Sequence, residues 1–292
     1  MLMVPARPRV LMERYWFGDV EGGTCTPPGK DPAAYVRRIE EMGPSLRRPD
    51  PETARICGVA ADRAAYLSLL REVCMERARR AVAGALAGPD VELLQMVRTL
   101  DEADHVINLL LERAVEWQSV IDPGFTRKYR RGGKALTGRI RRSPSPGLRG
   151  VGAEIEALGE MRSRLAREVS RRADAVLPNT SALVGGLVAA RLMAEAGGLS
   201  SLARMPAGAI QVLGARTAIF SHIRGAAPSP KHGIIFQHRR VHNAPKEVRG
   251  RVARVLAAKL AIAARIDHFR GEPDAGFLEG AQRRIDAAGG NP

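Results

Sequence analysis

Residues 90–121 read DVELLQMVRTLDEADHVINLLLERAVEWQSVI, and this stretch decides the fold class. Within it Met96, Leu100, Ala103, Ile107, Leu110, Ala114, Trp117 and Ile121 follow one another in alternating steps of four and three. That is the spacing of a coiled-coil seam, sustained for almost four heptads. Asp90 offers an N-cap, Glu92 places a negative charge in the first turn, and Pro123-Gly124 stops the helix. A seam this apolar needs a partner helix, so Met96, Leu100, Ala103, Ile107, Leu110, Ala114 and Trp117 are the candidate residues for self-association of the chain.

A second amphipathic stretch, from about 151 to 176, repeats the idea less regularly with Ile155, Leu158, Leu165, Val169 and Ala173. Two helices of similar length joined by a short connection lie antiparallel. The connection, 123–150, carries Arg127, Lys128, Arg130, Arg131, Lys134, Arg139, Arg141, Arg142 and Arg149 and no acidic residue. Gly132-Gly133 and the Ser-Pro pairs predict a flexible basic tip. Such a tip binds nucleic-acid backbones without reading sequence. Upstream, Leu67, Leu70, Cys74, Ala78 and Val82 recur at helical spacing before Gly88-Pro89, so 61–176 reads as one helical coiled-coil domain. Residues 1–60 are rich in Pro and Gly and hold only a reduced N-terminal domain, α/β or irregular, with Tyr15-Trp16-Phe17 as its miniature core. Downstream, 177–271 reads as helices rich in small residues, and 272–292 as a C-terminal tail.

The whole chain of 292 residues is 45% hydrophobic but only 4% aromatic, a balance that suits helices rather than strands. No run of about 18 uncharged apolar residues occurs, and Met1 to Met12 lacks a continuous apolar core, so neither a membrane span nor a secretory signal is expected. Cys25, Cys57 and Cys74 are odd in number and lack metal or redox spacing. Free thiols in a reducing cytoplasm follow from that.

The formal charge is +15, and it is segregated. Residues 123–153 hold nine Lys and Arg with no acid, and 176–271 hold fourteen against three, whereas 1–122 is slightly acidic. Self-repulsion confined to two segments is most readily understood when a polyanion neutralises it, and nucleic acid is the leading partner.

Catalytic readings fare poorly. Gly150-Val-Gly152-Ala-Glu154 follows SPSPGLR rather than a strand and lacks the third glycine of a dinucleotide loop. His238 and His242 are four apart but have no third ligand at zinc-site spacing. Ser200, Ser201 and Ser221 lack a nucleophile-elbow context. No enzyme activity, cofactor or metal is expected.

Two phrases carry a family resemblance. LPNTSALVGGLVAARLMAEAGGLSSLARMPAGAIQVLGARTAIFSHIRG, continuing through SPKHGIIFQHRRVHNAPKEVRGRVARVLAAKLAIAARIDHF, strongly resembles the Nop domain of archaeal Nop proteins. The seam helix resembles the same family's coiled coil, and together the matches cover roughly 70% of the chain. The resemblance implies a mainly α fold: an antiparallel coiled-coil hairpin, then an all-helical Nop domain, after a shortened N-terminal domain. It also implies the function, a non-catalytic scaffold of box C/D guide ribonucleoproteins that directs 2′-O-methylation of ribosomal RNA. Its expected partners are box C/D guide RNA, a small ribosomal-type kink-turn protein, the fibrillarin methyltransferase and a second copy of the chain.

Carried over residue by residue, the family's RNA-facing helix start GAxxAxF falls on Gly214, Ala215, Arg216, Thr217, Ala218, Ile219 and Phe220, with Thr217 where a lysine is common. The loop PKHG falls on Pro230, Lys231, His232 and Gly233, with Gln237 and His238 beyond it. A helix start of this kind offers backbone N–H groups to phosphate, Arg216, Arg224, Lys231 and Arg249 add charge around it, and His232 is placed to stack on an unpaired base. The alternative is a generic dimeric nucleic-acid-binding protein with no guide RNA. Binding of bare RNA separates the two, because the scaffold needs the kink-turn protein first.

Overall fold

The computed structural model describes residues 12–21, 24–29, 31–125, 133–225 and 227–289. The chain divides into two compact units, Met1–Gly88 and Pro89–Pro292.

In the first unit β1 (Glu13–Tyr15), β2 (Gly18–Glu21) and β3 (Thr24–Thr26) form an antiparallel sheet in chain order, in register Tyr15↔Gly18 and Val20↔Cys25. Trp16 and Phe17 make the first turn, and both are buried. Three helices follow: α1 (Pro32–Met42), α2 (Pro51–Ile56) and α3 (Arg63–Leu86). Each begins on an aspartate whose carboxylate accepts a first-turn N–H: Asp31 from Ala33, Asp50 from Glu52, Asp62 from Ala65. The core joins Trp16, Phe17, Tyr35, Val36, Tyr66 and Val73, and the Trp16 indole N–H donates to the Tyr66 hydroxyl at 2.9 Å.

This arrangement corrects two readings. The helix α3 packs on α1 and α2 through Tyr66 and Val73, so it belongs to the N-terminal unit and not to a domain running from 61 to 176. The stripe expected to face inward is the outer one: Leu67, Cys74, Ala78 and Val82 are exposed. Two aromatic anchors outweighed a weaker aliphatic periodicity.

The second unit begins with a helical hairpin. Its long arms are α4 (Pro89–Ile121) and α6 (Pro146–Val176), and between them lies α5 (Gly133–Ile140). Paired carboxylates and guanidiniums clasp the arms: Arg162 holds Asp104 bidentately at 2.7 and 2.9 Å, and Arg172 holds Glu92 at 2.6 and 3.1 Å. Most of the seam is consumed inside the chain. Leu100, Ala103 and Ala114 are buried, and Ile107 and Leu110 pack on the core of the tip, so these residues are not free for a second copy. Met96 packs on the main core, and Trp117 remains 44% exposed.

Among the described residues of the tip, 133–140 and 146–150 are helical rather than a flexible loop. Leu136 and Ile140 of α5 are buried together with Phe125, Leu148 and Ile155, and α6 starts at Pro146, one turn and more before the expected 151. Leu136 and Ile140, four apart, carry a helical signal that the surrounding basic residues obscured.

Among the described residues the rest of the unit holds α7 (Pro178–Val184), α8 (Gly186–Ala196), α9 (Leu199–Arg204), α10 (Ala207–Val212), α11 (Arg216–Ile223), α12 (Arg239–His242), α13 (Arg249–Phe269) and α14 (Ala275–Ala288), with a 3-10 turn at Ile234–Gln237. Helices α7, α9, α10, α12 and α14 pack on α13, which buries Val252, Ala253, Leu256, Ala257, Leu260, Ala261, Ala263 and Ala264. So many alanines let neighbouring backbones approach closely, which explains how a core with few aromatics stays dense. The small-residue run 181–196, which from its sequence reads as a single helix, is broken at Gly185, whose φ of +84° only glycine adopts freely.

Buried Asp267 of α13 accepts from the backbone N–H groups of Asn179 and Thr180, at 2.8 and 2.9 Å, and from the Asn179 side chain at 2.8 Å. The first turn of α7 is thus closed from 88 residues away. Asp90 has a similar remote task. Rather than capping α4, which already starts at Pro89, it accepts from Leu199 N–H at 3.1 Å and closes the start of α9. The segment expected to be a tail is the folded helix α14, whose Ala281, Ile285 and Ala288 join the main core. Among the described residues no helix is long and apolar enough to cross a membrane, and no group of three or more potential metal ligands occurs.

Candidate nucleic-acid interface

Two chain segments cross at van der Waals limits to build the site. Gly233 N–H donates to Gln211 C=O at 2.9 Å and Ile234 N–H to Leu213 C=O at 2.8 Å, so the residues after α10 and those before α12 run side by side. A Cβ on Gly233 would lie 2.0 Å from the Leu213 oxygen. Gly214 is pinned twice, by a φ of +83° and by Ile234, whose Cγ1 would sit 2.6 Å from an added Cβ. The Gln211 amide fastens the crossing by donating to Lys231 C=O at 2.8 Å. Both glycines of the sequence reading are therefore requirements of backbone approach, and they bring the start of α11 beside Lys231 and His232.

On one side of the crossing, His232 stacks on Phe236 with ring centroids 4.4 Å apart and an interplanar angle of 16°. His242 tilts against the other part of Phe236 at 4.9 Å, and the Arg249 guanidinium lies 5.4 Å from its centroid. Arg249 also donates to Ala244 C=O and His242 C=O, so its charge is fixed in place rather than offered on a loose arm. Burial, with Arg249 and Lys231 nearby, holds the His232 imidazole below its usual pKa. His232 is thus a neutral, half-covered aromatic plate near neutral pH.

The other residues divide by what they touch. Arg216 pairs with Glu195 at 2.8 Å yet is 75% exposed in its side chain, whereas exposed Arg224 and Lys231 have no ion pair among the described residues. Ala215 precedes α11 with no side-chain cap, and Thr217 is exposed in the first turn. Gln237 is exposed, and its Oε1 accepts from Arg191 at 2.8 Å. His238 is more deeply placed and carries a buried Nδ1 without a partner; burial, then Arg240 and Arg239, lower its pKa. It stands behind the loop rather than on it.

At the hairpin tip, Arg139 pairs with Asp122 at 3.3 Å and lies 5.6 Å from the Phe125 ring centroid, while Arg141 pairs with Glu156. Those two cations are committed to the protein. Arg142 is exposed. Arg127, Lys128, Arg130 and Arg131, and the side chain of Lys134, lie outside the described residues.

Three features escaped the sequence reading. Phe220 and Ile223 of α11 are 61% and 72% exposed, an apolar pair on a helix that buries nothing. Arg191, set in the apolar run LVAARLM, was the one charged residue there and hence the available signal. Finally, the outward side of α4 bears Val106, Leu109 and Val120, which with Trp117, already named in the seam, are all at least 41% exposed and lie on one stripe at 100° per residue.

A helical hairpin that runs into an alanine-rich helical domain, with a basic loop crossing on its surface, defines a class of helical binding scaffold. Residues 147–287 match the Nop family, described as snoRNA binding domain, fibrillarin, so this part of the chain is a Nop domain. A NOP5 family protein of Methanocaldococcus jannaschii is 32% identical over 234 residues, covering 68% of this chain and 56% of that protein. Nucleolar protein 58 of Scheffersomyces stipitis is 42% identical over 127 residues, 44% of this chain and 25% of that one. The chain thus spans about half or less of the length of these relatives. Among solved structures, a chain of a fibrillarin/Nop5p complex aligns over 95% of this chain and 100% of its own length, with a TM-score of 0.54 and 29% identity.

Proposed function

We propose that this chain is a non-catalytic RNA-binding scaffold of a box C/D guide ribonucleoprotein. It binds kink-turn RNA together with a kink-turn protein, recruits fibrillarin and so directs 2′-O-methylation of ribosomal RNA. The observation that carries the reading is the glycine-lined crossing of 211–214 with 231–234, which brings Lys231, without an ion pair among the described residues, and the stacked plate of His232 together next to α11, whose start has no side-chain cap. Phosphate at the helix start and a base against the imidazole are the contacts such a surface offers. Exposed Phe220 and Ile223 border it and supply an apolar seat for the kink-turn protein. Fibrillarin recruitment falls to the N-terminal unit, by analogy with the Nop5p chain solved in complex with fibrillarin. Self-association falls to the stripe Val106, Leu109, Trp117 and Val120, since the inner seam is already covered.

The test replaces Arg224 and Lys231 together by alanine and titrates the protein against kink-turn RNA carrying its kink-turn protein, at two salt concentrations. Affinity should fall by about 1–3 kcal/mol per lost charge-assisted contact, with a shallower salt slope. Unchanged affinity moves the site elsewhere, and equal binding of bare RNA favours the generic nucleic-acid binder.

A further inference from the structure

Arg191 reaches from α8 to the loop before α12, and its bonding fixes what that loop can recognise. Its Nη1 donates to Gln237 Oε1 at 2.8 Å, and its Nη2 is held by Asp101 at 3.1 Å and Asp104 at 3.7 Å, both on α4. Asp104 is itself anchored bidentately by Arg162 of α6. Arg191 is largely covered, with 18% of its side chain exposed, whereas Gln237 is exposed. A primary amide normally presents both an acceptor and two donors, so it fits many partners. Here the carbonyl oxygen is turned to largely covered Arg191, and the end left for a ligand is the Nε2 amino group. Gln237 and Arg191 line one cleft of about 480 Å³ with Arg98 and Asp101 of α4, Glu195 and Arg216; Asp101 is paired with Arg191 and Glu195 with Arg216, which leaves Arg98 as a lining cation with no ion pair among the described residues.

We propose that Arg191 is a positioning residue that makes Gln237 a donor-only reader, and that the cleft beside it takes an RNA phosphodiester oxygen. The inference rests on the RNA-binding reading above and deepens it. A pure acceptor with negative charge is the group that matches an amide N–H beside an unpaired guanidinium. A base edge rich in acceptors shares half of that chemistry, and the sequence dependence of binding tells the two apart. An exocyclic amino group, which has to donate, gains nothing from the Nε2 end of Gln237, and a hydroxyl can meet it only as an uncharged acceptor.

The experiment uses the full chain and kink-turn RNA preassembled with its kink-turn protein, and measures affinity for Gln237→Ala, Gln237→Glu, Arg191→Met and the Arg191→Met/Gln237→Ala pair. Gln237→Ala should weaken binding about five- to tenfold, the yield of one hydrogen bond to a charged acceptor. Gln237→Glu should weaken it further, because Arg191 then grips a carboxylate that repels phosphate. Arg191→Met should cost about as much as Gln237→Ala, and the pair no more than either alone, since Arg191 acts through Gln237. A structural defect in Arg191→Met would instead add to the loss in the double variant, which overturns the positioning role. Tolerance of glutamate at 237 overturns the donor-only assignment. Losses equal across RNA sequences support the phosphate, and a loss confined to RNAs with one base replaces it by a base edge and overturns that assignment. If Gln237 variants bind like the unmodified chain while Arg224→Ala/Lys231→Ala binds weakly, this inference falls and the RNA reading stands. If neither set weakens binding, the RNA reading falls with it.

Discussion

Asp267 is the clearest case of one side chain governing a domain. Its buried carboxylate collects three N–H groups from Asn179 and Thr180, and nothing nearby could replace it. Asp267→Ala should destabilise the second unit by about 3 kcal/mol, more than an ordinary hydrogen bond because the orphaned donors stay buried. Urea unfolding followed by helix signal measures it, and a change under about 1 kcal/mol would refute the role. A second residue-scale effect concerns pH. His232 and His238 both have folded pKa values below 6.5, so the unfolded chain binds protons that the folded one does not. Their contribution is present above pH 6.5 and is lost as pH falls below it toward the folded values. Stability should therefore decline between pH 7 and 5, and His232→Gln with His238→Gln should flatten that slope in melts across the range.

At the scale of elements, the hairpin separates two kinds of apolar surface on one helix. Ile107→Asp with Leu110→Asp strikes the covered face and should lower the melting temperature of the second unit. Val106→Glu with Leu109→Glu and Val120→Glu strikes the outward stripe, and should leave melting nearly unchanged while reducing the mass seen by light scattering. If the outer set alone unfolds the protein, the faces have been assigned the wrong way round. The long seam of α4 was legible because eight positions keep one register, and α13 because its apolar residues recur without interruption. Short helices such as α9 and α10 were not, since six residues are too few for a period to declare itself. The same limit hid α5 under its own charges. In the site, Gly214, Lys231, His232 and Gly233 could be chosen from the sequence, but the crossing that joins them depends on backbone pairs 20 or more residues apart. Arg191 was invisible because its partners lie on another helix.

For the molecule as a whole, the boundary at Gly88 implies two independent cooperative transitions. The N-terminal unit is closed by Trp16, Phe17, Tyr35 and Tyr66, and among the described residues the cores of the second unit are built from Leu93 onward. A fragment of residues 89–292 should keep the melting temperature and the RNA affinity of the second unit, whereas one that starts at 61 adds α3 stripped of its partners and should aggregate more readily. Calorimetry of the full chain and of both fragments checks this, and a single shared transition lost on cutting at 88 would contradict it.

The cap that Asp267 places on α7 also has a consequence in time. During synthesis at about 5–20 residues per second, the 88 residues that separate Asn179 from Asp267 take roughly 4 to 18 s to appear. Until then the first turn of α7 waits without its carboxylate. The N-terminal unit, whose parts are all made within its own 88 residues, has no such delay. A nascent chain therefore carries one finished unit ahead of an unfinished one, and the surface proposed to bind RNA matures only once α13 has been made.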